Sequence, residues 1–460
     1  MRRPIALLLV SLVALTGAAA PSSAFASADD EPLSGRPAAA GLDADEVPQD
    51  DLESPTPTPT VTPSETPEPE DPVRTAEYWL DEYGVTDAWE TTRGAGTTIA
   101  VIDTGIVKGP EEFEGAVAGG TDVSGVGGED GRTPVGVQDQ NHGSYVASLA
   151  AARGTGEDTG MIGVAPEAQL LSISIGFGSS AAVPFDEQVA DAMVWAVDNG
   201  ADVINLSFTT NTLDWDESWD DAFLYAFEHE VVVVVAAGNR ASGTTVVGAP
   251  ATIPGVLAVA GVDTNGVASV GASTQGITIG VSAPSEQLLG ISASGDVVEW
   301  NGTSGAAPIV AGIAALVRSA HPELDAANVI NRIIRSAHRP AGVDDVPDAL
   351  YGYGLVDAAG AVEDDAPSVT SNPLGSLEDW IALHRRAAAG PEPTPTAGAV
   401  EIPAIPPADA PGEASSPYLP SADSMREVTL PLFALSAAGI LVVLGVVSAV
   451  RRVRSTRAQR

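Results

Sequence analysis

The 460-residue chain contains no cysteine. Disulfides, thiolate metal sites and a catalytic thiol are thereby excluded, so an exported form would depend on its core alone for stability. Lysine is almost missing too: Lys108 is the single example, and Lys plus Arg total 21 against 62 Asp plus Glu. A formal net charge of −41 repels phosphate backbones, whose binding needs basic side chains, so nucleic acid is excluded as a partner. Such an exterior otherwise reads as a solvated acidic surface.

Long apolar runs are few and lie at the two ends. Met1-Arg2-Arg3, the apolar run Ile5 to Leu15 and the small residues around Ala24-Phe25-Ala26 read as a secretory signal peptide over residues 1–26, cleaved after Ala26 or Ala28. Near the other end, Leu430 to Val450 is uncharged and mostly apolar, and Arg451, Arg452, Arg454, Arg457 and Arg460 follow. That length crosses a hydrocarbon core of about 30 Å, and the arginines mark the cytoplasmic side. The expectation is a single-pass membrane helix at 428–450 with a basic cytoplasmic tail at 451–460, holding the globular part outside the cell membrane.

Residues 27–77 are acidic and carry Pro-Thr repeats such as Pro55-Thr-Pro-Thr-Pro59. With so few large apolar residues they cannot offset the entropy of ordering, and a disordered arm is expected. Residues 363–427 turn Pro- and Ala-rich, with a short helix expected at Leu377 to Ala388, and read as a semi-rigid stalk.

Between these tails, residues 78–362 alternate short apolar runs with helical patterns. Thr98 to Asp103, Gln169 to Ile175, Asp202 to Phe208, Val231 to Ala236 and Val256 to Val262 are β-branched and apolar, as buried strands are. Phe185 to Asp198 and Glu217 to Glu228 show helical periodicity between them. Alternation of this kind predicts an α/β fold, a mainly parallel central sheet with helices on both faces. Ligands of such open sheets bind beyond the carboxyl ends of the strands, and Asp103 ends the first strand.

Three short segments carry chemistry: Ile99-Ala-Val-Ile-Asp103-Thr-Gly105, Asn141-His142-Gly143-Ser144 and Gly302-Thr-Ser304-Gly-Ala-Ala-Pro308. A serine hydroxyl is a weak nucleophile until a base takes its proton and a third group orients that base. Ser304, His142 and Asp103 supply those three roles. Gly105 permits a sharp turn after Asp103, a helix is expected from His142 to Ala152, and another from Ala306 to Ser319 with Pro308 in its first turn. Taken singly the residues are bland: Asp103 reads as a helix cap, His142 as a surface imidazole and Ser304 as another cap. His229, His321, His338 and His384 lack comparable surroundings and read as surface or packing residues.

Taken together, in the order Asp, His, Ser, the three motifs resemble those of the subtilisin-like serine proteases. The resemblance implies a subtilisin-like three-layer fold and peptide hydrolysis through an acyl-enzyme. Val234-Val-Ala-Ala-Gly238-Asn239 resembles the family segment whose Asn donates to the oxyanion, which assigns Asn239 and the Ser304 amide to that hole. The substrate cleft is implied along Ile175 and Gly176 on one side and Ser207, Phe208 and Thr209 on the other, with Ala237 and Gly238 lining the first pocket. Several positions depart from the family pattern: Thr209 stands where glycine is usual and narrows the pocket mouth, Ser144 replaces Thr, Ser148 replaces Gly, and Gly305 stands where Met is common.

No cofactor is required by this chemistry. Calcium, which many subtilases bind, is left open, since no loop shows a spaced set of oxygen ligands. The tripeptides Asn205-Leu-Ser and Asn301-Gly-Thr match the glycosylation pattern by accident, the second lying inside the nucleophile motif. Signal peptide, protease, stalk and terminal helix also resemble the layout of mycosins, proteases associated with type VII secretion, although mycosins usually carry disulfides. The expected partners are therefore a protein or peptide substrate, the membrane and a secretion assembly. The alternative reading is a structural component that braces such an assembly, with catalysis secondary.

Overall fold

The computed structural model describes residues 71–136, 140–178, 181–363 and 365–385. The expected signal peptide, the arm up to residue 70, the stalk beyond 385, the membrane helix and the basic tail lie outside these residues.

Seven strands make one parallel sheet: β1 (Thr98–Asp103), β2 (Val117–Asp122), β3 (Gln169–Ser174), β4 (Val203–Leu206), β5 (Val232–Ala236), β6 (Leu257–Val262) and β7 (Ile279–Pro284), in the order β2-β3-β1-β4-β5-β6-β7. Five of them fall on the apolar runs named above. The two that do not, β2 and β7, are the edge strands. Two glycines interrupt half-exposed β2, and β7 contains Gly280 and ends on Pro284, so neither shows a continuous β-branched run.

Strand residues alternate between the two faces of the sheet. Ile99 and Val101 pack with helices α4 (His142–Ala151), α7 (Thr303–Ala320), α8 (Ala326–Ser336) and α9 (Ala358–Glu363), whereas Ala100 and Ile102 pack with α5 (Phe185–Asp198), α6 (Ser218–Glu228) and α10 (Leu377–His384). This is the expected three-layer α/β architecture. Short helices α1 (Pro72–Ala76), α2 (Trp79–Glu82) and α3 (Val85–Ala88) precede the sheet, and an antiparallel hairpin, β8 (Leu288–Ile291) with β9 (Val297–Trp300), precedes α7.

Both expected domain boundaries move outward. Asp71 caps α1, its carboxylate accepting from Val73 and Arg74, so the folded body begins seven residues before Tyr78. At the other end residues 365–385 lie on the body instead of leaving it as a spacer: Leu377 and Ile381 are buried with α6, and Asn372 donates to the Gly255 carbonyl at 2.8 Å. The short helix expected at Leu377 to Ala388 is present as α10, ending at His384, and its two inward apolar positions dock it on the body.

Helix α7 also begins earlier than expected, at Thr303, which puts Pro308 beyond the first turn. Proline there removes the donor that would reach the Ser304 carbonyl. Ser207 Oγ donates to that carbonyl instead, at 2.8 Å. Among the described residues α7 is the one helix long and apolar enough to cross a membrane, but 78% of it is buried and it serves as a core helix.

Glu77 is a buried acid in this body. One oxygen accepts from the Ile162 amide at 2.9 Å, the other has no partner, and the Arg74 guanidinium stands 4.0 Å away. Burial pushes its pKa from 4.5 up to about 8. Between those values the unfolded chain has lost the proton and the folded chain keeps it, so stability falls as pH rises through the window. Glu77→Gln is therefore expected to raise the melting temperature at about pH 8 and to lose that advantage near pH 4.5. Thermal denaturation across that range, read by circular dichroism, checks it; an equal offset at both ends would contradict the account.

Candidate active site

The candidate residues converge because each follows a strand at its carboxyl end or opens a helix there. Asp103 ends β1, Ile175 follows β3, Ser207 follows β4 and Ala237 to Asn239 follow β5, while His142 and Ser304 sit in the first turns of α4 and α7.

Asp103 is wholly buried. Its two oxygens lie 2.8 and 2.9 Å from His142 Nδ1, and one also accepts from the Thr104 amide at 2.7 Å. A carboxylate can only accept, so Nδ1 carries the proton and Nε2 is the basic nitrogen. Two glycines make room at this junction, Gly143 where α4 meets the backbone leaving β1 and Gly105 against the loop at Gly131. A Cβ on Gly143 would lie 2.7 Å from the Gly105 carbonyl oxygen, and one on Gly105, at φ +102°, would lie 2.6 Å from that of Gly131. Thr104 Oγ1 accepts from the Gly143 amide at 2.9 Å, fixing the same junction.

Ser304 and His142 line one cleft of about 660 Å³. The serine hydroxyl donates to the Ser207 carbonyl at 2.9 Å, while Ser207 Oγ donates back to the Ser304 carbonyl and accepts from Asn205 Nδ2. A general base would take the Ser304 proton only after the hydroxyl turns away from Ser207. Ser304 is the second residue of α7, so its amide has no acceptor within the helix and is free for an anion.

Asn239 is oriented by a residue that the motif reading passed over. Thr303 donates to Asn239 Oδ1 twice, from its amide at 2.7 Å and its hydroxyl at 2.9 Å, and the same hydroxyl accepts from the Gly238 amide at 2.9 Å. Only the oxygen can receive an N–H, which leaves Asn239 Nδ2 as a donor at the cleft wall. Gly302, at φ +150°, leaves room for this: a Cβ there would lie 2.9 Å from Nδ2.

The implied substrate residues divide. Ser207, Phe208, Thr209 and Gly238 line the cleft, and the Thr209 methyl would lie 2.8 Å from a Cβ on Gly238. Ile175 and Ala237 are buried in the core, and Gly176 has its amide taken by Gln188 Oε1 at 2.7 Å, so these three are not at the cleft wall. On that side the wall is Phe177, packed against Phe185 and Phe208 at 5.7 and 5.9 Å.

Trp300 also escaped the sequence reading, although it stands only two residues before the nucleophile motif. Its indole meets the His142 ring edge-on at 5.7 Å. Gly305 makes space for it, since a Cβ there would lie 3.2 Å from the indole and 2.3 Å from Leu288. The other departures are accommodated: Ser144 Oγ accepts from Val107, and Ser148 Oγ donates to the Ser144 carbonyl and accepts from Ile291. Of the accidental glycosylation matches, Asn205 is fully buried. No group of three or more His, Asp or Glu able to hold a metal occurs among the described residues.

A carboxylate, an imidazole and a serine hydroxyl gathered at the carboxyl edge of a parallel sheet define a serine hydrolase of the acyl-transfer class. Residues 94–354 match the subtilase family, and the chain belongs to it; it is a subtilisin-like serine endopeptidase. Mycosin-4 of Mycobacterium tuberculosis is 32% identical over 350 residues, spanning 66% of this chain and 73% of mycosin-4. Thermitase of Thermoactinomyces vulgaris is 32% identical over 301 residues, 64% of this chain and 99% of thermitase. A crystal structure of MycP1 from the ESX-1 type VII secretion system superposes with a TM-score of 0.55 at 29% identity, over 67% of this chain and 91% of that one.

Thr303→Val should leave the buried Gly238 amide without an acceptor, at a cost of about 1–3 kcal/mol, whereas Thr303→Ser should keep nearly full stability. Urea denaturation midpoints of the two variants measure the difference.

Proposed function

We propose that the chain is a membrane-anchored peptidase acting outside the cytoplasmic membrane, cleaving peptide bonds through an acyl-enzyme on Ser304. The observation that carries this reading is the bifurcated contact of His142 Nδ1 with buried Asp103, in the cleft that Ser304 lines.

In this mechanism Nε2 of His142 takes the Ser304 proton as Oγ attacks the carbonyl, and returns it to the leaving amine. Asp103 holds the tautomer and stabilises the imidazolium. Oxyanion charge is met by the Ser304 amide and Asn239 Nδ2, whose direction Thr303 fixes. An extended peptide would lie between Phe177 and the Ser207–Thr209 stretch. No step needs a metal, so we infer an activity independent of calcium; the same kcat after exhaustive chelation is expected, and its loss would refute the inference.

Anchoring rests on the apolar run Leu430 to Val450 and its arginine flank. The similarity to mycosin-4 and to MycP1, a protein of a type VII secretion system, favours a secretion assembly as the setting. It also keeps a second reading in view, a bracing component whose catalysis is secondary. Ser304→Ala, which removes one oxygen, separates them: loss of export together with cleavage assigns the role to catalysis, and intact export assigns it to the scaffold.

A fluorophosphonate probe should label the native protein and not Ser304→Ala; an unlabelled but folded native protein would refute the enzymatic site. Asn239→Ala is expected to lower kcat by about 10²–10³ with little change in KM, on the scale known for the equivalent donor of subtilisin. Steady-state cleavage of a chromogenic peptide reads both constants.

A further inference from the structure

The loop between β4 and α6 begins in the cleft and ends far from it. Thr209 and Asn211 line the cleft wall. Beyond them the loop is pinned through Thr212, whose carbonyl accepts from the Ala249 amide at 2.8 Å, and Leu213, whose carbonyl accepts from Thr252 Oγ1 at 2.7 Å. Its far end, Trp215, is held by the C-terminal segment. The Trp380 ring of α10 lies 4.4 Å from the Trp215 ring, and Arg385 donates to the Trp215 carbonyl at 3.1 Å. The Arg385 guanidinium stands 5.6 and 5.4 Å from the two indole rings. Arg385 also pairs with Asp220, which accepts from Trp215 Nε1 at 2.7 Å. Asp220 is 6% exposed, so its carboxylate needs both partners.

We propose that Trp380 and Arg385 clamp Trp215 and thereby position the Thr209–Asn211 wall of the cleft for an extended peptide, making the segment after the catalytic body a positioning element for substrate. The proposal rests on the reading of the cleft as the peptide site. Five residues lie between Thr209 and Trp215, and the contacts of Thr212 and Leu213 leave that stretch little slack. Release of Trp215 would leave the wall held on one side alone, by the bonds of Thr210, Thr212 and Leu213 to residues 249–252, and so able to shift, while Asp103, His142 and Ser304, held by other elements, stay in place. Leu377 and Ile381 supply the burial of α10, so the clamp can be opened without undocking the helix.

Arg385→Ala and the milder Trp380→Leu, which keeps the Arg385–Asp220 pair, test this in the full-length protein. Hydrogen exchange followed by mass spectrometry should show faster exchange confined to residues 209–217, and KM for a hexapeptide substrate should rise roughly three- to tenfold with kcat and the fluorophosphonate labelling rate held within about twofold. Unchanged exchange over 209–217 in a folded variant would overturn the clamp. A parallel fall in peptide cleavage and labelling would overturn it as well, since that reports general loosening. Absence of labelling in the native protein would instead refute the Ser304 reading and leave the exchange result to decide the clamp.

Discussion

A carboxylate sealed from water at the end of a central strand must be satisfied where it stands, and the construction of the cleft follows from how Asp103 is satisfied. Its acceptors are spent on the next amide in the chain and on the imidazole that opens α4. To bring that imidazole within 2.9 Å, the first turn of α4 has to touch the backbone leaving β1, which is why no side chain fits at Gly143. The same contact assigns the proton to Nδ1 and leaves Nε2 basic, as the proposed mechanism requires.

Ser304 is placed by a different economy of hydrogen bonds. Proline at 308 withdraws the helical donor to the Ser304 carbonyl, and Ser207, held by Asn205, answers from β4. The nucleophile is therefore fastened to the strand that lines the substrate side of the cleft. Thr303, one residue earlier, fastens the helix to the end of β5 through Asn239 and Gly238. Helix α7 is in this way tied to the ends of two neighbouring strands by two successive residues, Thr303 and Ser304, and the donors at its start converge on the cleft.

The residues that gather at the cleft were legible in the sequence because acyl transfer admits few side-chain types, and their flanking glycines record close approaches that only glycine allows. The five central strands were legible because burial on both faces demands unbroken β-branched runs. What sequence could not display were partnerships. Thr303 sits inside a quoted motif, yet nothing in the letters says that its hydroxyl joins Gly238 to Asn239. Trp300 reads as an ordinary strand residue until Gly305 is seen to make room for its ring. Gly176 fits an extended-strand pattern, and only the fold reveals that Gln188 has taken its amide. The C-terminal segment was misread as spacer because proline and alanine dominate its composition, whereas Leu377, Trp380, Ile381 and Arg385 carry its attachment.

That attachment bears on how a chain without cysteine holds itself together. A disulfide contributes about 2–4 kcal/mol, and a single internal hydrogen bond only about 0.5–1.5 kcal/mol. Several long-range bonds must then do what one covalent link would. They span the body: Tyr78 donates to the Glu286 carbonyl, 208 residues away, Arg385 to that of Trp215, 170 away, Asn372 to that of Gly255, 117 away, and the Asn328 amide pairs with Val369 in both directions. Most of these bonds fasten the segments that flank the sheet, α2 on one side and residues 365–385 on the other. The ends of the body are closed by polar contacts while its centre is closed by burial. Such closures break and reform without chemistry, so the flanking segments are the parts of the body able to yield while the sheet and the residues at its carboxyl edge stay fixed.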